Sequence, residues 1–472
     1  MTQTQARQFA PCRRYLHRTT NWQETQPPSP LQEQTMFFWT SAIQTAAKLE
    51  SIRNAERKLL AAAKSSVYAT RPADTWEITT VETCIPRSVL PLKPVSRNGD
   101  DDGIGSGDEL KIHAVHVTSK ETFDSSNTTD TPLVMLHGYM NAGSYFYRNF
   151  GGLSNYFQSI FALDMLGWGL SSRPSFDQVV DGKSVKSAED FFVESLEAWR
   201  VENNIERMVL AGHSFGGYMS TAYCERYPER VEHLILLSPV GVPDENDPAV
   251  QERIERMRSS WRGRTFLGVF QTLFEMTNPG AVLRALSKDR SYGMAQSYVQ
   301  RRLPEISDPD ESRTVADYLY YNAVLPGSGE NFLHSILTPK VLAKKPLISR
   351  IPNLKVKSVT FLYGSTDWMD ISGGLNTQRL CEMIDEHDAG SSPKVDVLLV
   401  PKAGHLLMLQ NPEATNAGMV HAVGGLYKLP VEDMPTLIQP GSDELHESWL
   451  EQTLKAREQN QMIKPPTGVV AA

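Results

Sequence analysis

The sequence predicts an α/β fold: a mostly parallel sheet flanked by crossover helices, with a helical segment inserted before the last two strands. Three observations predict it. Short apolar runs alternate with helical stretches through the centre of the chain, the pattern of βα units. An apolar run ends at 212–217 in a cluster of small residues and resumes as a helix-like segment. Residues 243–345 break the rhythm, with Phe266, Phe270, Leu273 and Phe274 at helical spacing beside Arg-rich stretches.

Taken in order, residues 1–34 read as a basic leader. The first 23 residues hold Arg7, Arg13, Arg14 and Arg18 but no acid, as mitochondrial targeting segments do, and Gln26-Pro27-Pro28-Ser29-Pro30 closes the leader. Residues 35–75 read as an amphipathic helix and linker. Phe37, Phe38, Trp39, Ile43, Ile52, Leu59 and Leu60 share the helix with Arg53, Arg57, Lys58 and Lys64, a mixture suited to an interfacial membrane anchor, with a helix packed on the catalytic domain as the alternative. Residues 76–242 and 346–430 form the catalytic domain. Its candidate strands are two or more between 76 and 117, then 133–136, 159–163, 208–211, 234–237, 359–363 and 395–400. Residues 243–345 are expected to form a helical lid, and 431–472 a mobile tail with one surface helix near 445–456. The acidic run Asn98 to Gly103, with Glu109 at EF-hand spacing, lies between strand-like segments rather than helices, so it reads as a solvated turn.

Composition narrows the function. With 472 residues, 40% hydrophobic and 22% charged, the chain can bury one large core. A net charge of −8 argues against nucleic acid as a partner. The four cysteines, Cys12, Cys84, Cys224 and Cys381, lack metal-site spacing and suit a reducing, intracellular setting. No run approaches the roughly 20 apolar residues of a membrane span, so membrane association would be peripheral.

The turn at 212–217 carries the chemistry. In Gly212-His213-Ser214-Phe215-Gly216-Gly217 small residues flank a serine between the strand ending at Ala211 and a helix from Tyr218, the arrangement of a nucleophile elbow in an α/β-hydrolase fold. A serine hydroxyl needs a histidine base, and the base needs a carboxylate to fix its tautomer. Chain order in this fold is serine, acid, histidine, and Asp367 and His405 each follow a candidate strand by a short loop. Asp370 is the rival acid, further from its strand end, while His233 and His421 sit within a strand and an apolar helix and suit structural roles. The oxyanion donors are expected to be the backbone amides of Phe215 and Tyr139, the latter in the loop His137-Gly138-Tyr139-Met140. Asp164-Met165-Leu166-Gly167-Trp168-Gly169 reads as a loop that shapes the site. No metal or redox cofactor is called for.

These residues resemble the α/β-hydrolase-domain proteins four and five with their plant and fungal relatives. The resemblance covers about 130–420. It rests on His137-Gly138-Tyr139, the run Ala162 to Gly169 followed by Ser171-Ser172-Arg173-Pro174, Phe192-Val193-Glu194-Ser195 leading to Trp199-Arg200, the elbow itself, and Tyr363-Gly364 with Asp367-Trp368-Met369. It implies activity on acyl esters or amides of glycerophospholipids, and fungal relatives include a cardiolipin-specific deacylase. Some members are described as lysophosphatidate acyltransferases, an activity linked to a His-x-x-x-x-Asp motif. Here that stretch runs from His405 to Gln410, so the Asp is missing. One branch has Asn at the nucleophile position and serves as a lipase co-activator; Ser214 is retained here.

The lid adds one independent pointer to an anionic lipid. Arg256, Arg258, Arg262 and Arg264, with Arg253, surround Trp261, and guanidinium groups at this density can pair bidentately with phosphate. The sequence therefore leads to a serine hydrolase that deacylates a glycerophospholipid at a lipid surface. The alternatives are an acyl-CoA-dependent lysophosphatidate acyltransferase and a non-catalytic lipid-surface scaffold.

Overall fold

The computed structural model describes residues 30–66, 72–94, 109–120, 129–259, 277–427, 435–441 and 447–463. The basic leader up to residue 29, the acidic run at 98–103, and Trp261, Arg262, Arg264 and Phe266 of the insertion lie outside the described residues. The chain divides into two compact units, Met1–Ala46 and Ala47–Ala472. Within the first, the described residues form the opening turns of the helix Pro30–Lys64.

The second unit is built on an eight-stranded sheet. In chain order the strands are β1 (Trp76–Pro86), β2 (Glu109–Ser119), β3 (Leu133–Leu136), β4 (Ser159–Leu163), β5 (Met208–His213), β6 (Val231–Leu237), β7 (Ser358–Gly364) and β8 (Lys394–Val400). Their order across the sheet is β1-β2-β4-β3-β5-β6-β7-β8. β1 and β2 form a long antiparallel ribbon, and β2 also runs antiparallel to β4. From β4 to β8 every pairing is parallel. Each central strand was legible as an apolar run because helices cover both faces of a parallel sheet, so alternation is lost. β3 and β5 are buried along their whole length.

Strand order reverses between β3 and β5, and in open α/β sheets the crevice outside the carboxyl ends of strands at such a point is where ligands bind. The register sets this edge. Leu136 pairs with Gly212, Leu237 with Leu362, and Gly364 with Val400. The loops after β3, β5, β6, β7 and β8 therefore emerge side by side, carrying His137 to Tyr139, Ser214, Ser238, Asp367 and His405.

Two expectations need correction. The helix expected to meet a membrane is, from Ala47 onward, packed on the sheet. Ile52, Ala55, Leu59 and Ala63 are buried in one core cluster with Val115, Val117 and Tyr145. Glu56 in the same stripe is buried and pairs with His113 Nε2 at 3.1 Å. The side chains of Phe37, Phe38 and Trp39 lie outside the described residues. The C-terminal segment, expected as a mobile tail with one surface helix near 445–456, has the helix Glu447–Ile463, but its Leu450 and Leu454 are buried against Leu380, Met383 and Ile384 of the helix Ser372–His387. Described helices of the insertion are Pro248–Ser259, Pro279–Ala285, Lys288–Arg302 and Pro309–Val324.

Candidate active site

The turn from β5 into the helix Phe215–Arg226 is tight enough to leave no room for side chains at its flanks. A Cβ on Gly212 would lie 2.4 Å from the carbonyl oxygen of Gly216, and one on Gly216 would lie 2.5 Å from the carbonyl oxygens of both Leu136 and His137. Between them Ser214 adopts φ 52° and ψ −113°, a strained conformation for a residue with a side chain, costing on the order of 1–3 kcal/mol. Ser214 Oγ lies 3.2 Å from His405 Nε2.

His405 stands in the loop after β8, pinned to the loop after β7. Thr366 N donates to the Ala403 carbonyl at 2.9 Å, and Lys402 N donates to Ser365 Oγ at 3.0 Å. The Nδ1 of His405 lies 3.3 Å from Asp367 Oδ1, an ion-pair separation looser than a good hydrogen bond, of the kind that tightens when substrate binds. Asp367 accepts further bonds from the Met369 amide at 3.0 Å and from the Ser238 hydroxyl. Burial raises its pKa, but His405, the Met369 amide and Ser238 outweigh burial and hold the carboxyl below its ordinary range. The rival Asp370 instead caps a helix, accepting from Ser372 N at 3.0 Å.

The oxyanion candidates flank the same serine. Among the described residues, neither the Tyr139 nor the Phe215 amide makes a backbone hydrogen bond outside regular elements. The loop carrying Tyr139 is fixed from below. Trp168 meets the rings of Tyr139, Phe215 and Phe192 at centroid separations of 6.2, 5.5 and 5.2 Å. Tyr139 also donates its hydroxyl to the Glu330 carbonyl at 3.2 Å. His137 serves this loop structurally: its Nε2 accepts from Met165 N at 3.0 Å, and burial lowers its pKa to about 4, so it stays neutral. Asp164 accepts from the amides of Gly143 and Leu170 at 2.6 and 2.7 Å. Gly169, with φ +55°, has no space for a Cβ, which would lie 2.0 Å from Asp164 Oδ2.

Three residues at the site escaped the sequence reading. Ser238 holds Asp367 across 129 residues of chain. His213 donates Nε2–H to the His405 carbonyl at 2.9 Å; burial lowers its pKa to about 3, so no second cation competes as His405 takes up a proton. Trp368, half exposed, lays its ring 5.1 Å from the His405 ring. The position between Gly212 and Ser214 in the elbow could have pointed to His213; nothing in the sequence marks Ser238.

Taken together, the geometry can deprotonate a serine hydroxyl and stabilise the imidazolium that results. Of the four arginines singled out in the insertion, Arg256 and Arg258 are exposed on the helix Pro248–Ser259, and Arg262 and Arg264 lie outside the described residues. Residues 131–412 match the family described as alpha/beta hydrolase fold. The chain belongs to that family.

Within it, relatives carry lipid names. A 1-acylglycerol-3-phosphate O-acyltransferase of Arabidopsis thaliana is 33% identical over 332 residues, 68% of this chain and 74% of its own length. The Homo sapiens protein named 1-acylglycerol-3-phosphate O-acyltransferase ABHD5 is 33% identical over 299 residues, 62% of this chain and 78% of its own. Protein ECM18 of Saccharomyces cerevisiae is 25% identical over 376 residues, 70% and 78% of the two chains. No described helix of this alpha/beta hydrolase is long and apolar enough to cross a membrane.

Proposed function

We propose that this alpha/beta hydrolase moves fatty acyl groups through an ester on Ser214, with a lysophospholipid of the 1-acylglycerol-3-phosphate class as acceptor and acyl-CoA as donor. The observation that carries the serine chemistry is the 3.2 Å approach of Ser214 Oγ to His405 Nε2 on the elbow. The names of the plant and mammalian relatives support the choice of acceptor. This ordering differs from the one drawn from sequence, which put water first.

In the first half-reaction Ser214 Oγ attacks the thioester carbonyl carbon and its proton passes to His405 Nε2. The amides of Tyr139 and Phe215 hold the oxyanion, which collapses to expel CoA thiolate, and the thiolate takes the proton from His405. In the second half the free hydroxyl of the lysolipid gives its proton to His405 and attacks the acyl-serine. Collapse returns that proton to Ser214 and releases the diacyl lipid. Asp367 remains ionised throughout and steadies the imidazolium.

A second reading, deacylation of a phospholipid with water as acceptor, is favoured by Gln410 standing where the resemblance places an aspartate. It uses the same acyl-enzyme. One experiment separates the two: purified protein is given acyl-CoA with lysophosphatidate, and in parallel mixed phospholipid vesicles including cardiolipin, with a Ser214→Ala control. The proposal expects Ser214-dependent phosphatidate in excess of free fatty acid. Fatty acid alone would replace it with the second reading, and no lipid product from either mixture would sink both.

A further inference from the structure

Gln410 ends the short helix Leu407–Gln410 that follows His405, and both polar ends of its side chain are committed to main chain. Its Oε1 accepts from the Gly404 amide at 2.8 Å, one residue before the base. Its Nε2 donates to the Arg302 carbonyl at 3.1 Å. Arg302 is the last residue of the helix Lys288–Arg302 in the insertion, where carbonyls have no partner within the helix. The amide orientation is fixed by these partners, since Gly404 N can only donate and the Arg302 oxygen only accept.

We infer that Gln410 is a positioning residue: it clamps the loop carrying His405 to the end of the helix Lys288–Arg302, so that placement of the base and seating of the inserted helix are coupled. The inference rests on the acyl-Ser214 reading and bears on acylation itself rather than on the choice of acceptor. An aspartate here would be one methylene shorter, could not donate to the Arg302 carbonyl, and would set a negative charge at a helix C-terminus, where the helix dipole disfavours it. A glutamine therefore suits this chain. Thr366, Ser365 and the Asn411 side chain, which donates to the Pro401 carbonyl at 2.8 Å, hold the rest of the loop, so the fold does not hang on Gln410 alone.

The test compares Gln410→Leu, Gln410→Glu and Gln410→Asp for the rate of fluorophosphonate labelling at Ser214 and for the ratio of phosphatidate to fatty acid formed from acyl-CoA and lysophosphatidate. Loss of both bonds in Gln410→Leu should slow labelling about tenfold to a hundredfold, the scale of a small misplacement of a catalytic group. Glutamate keeps an acceptor of the same reach for Gly404 N but loses the donor to the Arg302 carbonyl, so it should recover only part of that loss, and the shorter aspartate less. The product ratio should stay within about twofold in all three, because His405 activates either acceptor, lysolipid hydroxyl or water, from the same position. Labelling unchanged in Gln410→Leu, or aspartate outperforming glutamate, would overturn the inference. So would a tenfold rise in the product ratio on introducing aspartate. If Gln410→Leu proves unstable in a thermal melt, the glutamate and aspartate variants still decide. Wild-type protein that labels but forms no lipid product would refute the proposed function and leave the labelling comparison to judge Gln410.

Discussion

Replacing Glu56 with glutamine should make the protein lose the pH dependence of its stability on the alkaline side. Glu56 and His113 are buried together between the helix Pro30–Lys64 and β2. Both Glu56 oxygens lie 3.1 Å from His113 Nε2, and Ser144 Oγ donates to one of them at 2.8 Å. Burial alone would lower the His113 pKa, but the bond to Glu56 and the charge of Asp164 raise it from 6.5 to about 9. The folded state thus holds a proton that the unfolded chain releases more readily. The stabilisation is complete below about pH 6.5 and is lost as pH rises through about 9. At about 1.4 kcal/mol for each tenfold change in proton affinity, it amounts to about 3 kcal/mol. Asp164, raised to about 6 chiefly by burial, titrates at the acid edge of this range, so the alkaline half carries the test. Urea unfolding at pH 6, 7.5 and 9.5 provides the assay. Wild type should exceed Glu56→Gln by about 3 kcal/mol at pH 6, with the gap closing by pH 9.5. A gap that stays constant over that range would refute the assignment of a charged pair.

Other outcomes follow from single contacts. Ser238→Ala removes a hydrogen bond to the ionised Asp367, worth about 1.5–3 kcal/mol, so turnover should fall at least about tenfold with little change in KM; an unchanged kcat would remove Ser238 from the site. Leu450→Ala should destabilise the fold by about 2–3 kcal/mol because Leu450 of the C-terminal helix is fully buried, and a melting temperature equal to wild type would mean that this helix does not dock in solution. Reversing Arg256 and Arg258 to glutamate should weaken sedimentation with anionic vesicles, with neutral vesicles as control. Equal binding by the variant would exclude these arginines as headgroup ligands.

The central sheet was readable because a parallel strand buried on both faces leaves a continuous apolar run, and all six runs from 133 to 400 became strands. The elbow was readable in part for a similar reason: Gly212 is kept small by the Gly216 carbonyl four residues on, a local cause the sequence carries, whereas Gly216 is kept small by the distant Leu136 and His137 carbonyls. Ser238 was not, because its partner Asp367 arrives from a different loop and any small polar residue looks alike after a strand. The helix Pro30–Lys64 was misassigned in its second half because an apolar stripe does not say whether lipid or protein covers it. Its distinguishing mark was Glu56, placed between Ile52 and Leu59 on the buried stripe. In lipid that carboxylate would have no partner, whereas in the folded chain it has His113. The C-terminal helix was underrated because only Trp449, Leu450 and Leu454 mark its apolar side, and a stripe that narrow predicts no particular surface to meet it.

The central claim is that Ser214 becomes acylated with His405 as base, and mass spectrometry of the intact protein tests it most directly. Protein quenched within seconds of mixing with acyl-CoA, and protein treated with a fluorophosphonate, would each be digested and the modified peptide mapped. The account predicts one adduct per chain, on Ser214, absent from Ser214→Ala and strongly slowed in His405→Gln. An adduct on another residue, or labelling of Ser214 at the wild-type rate without His405, would contradict it.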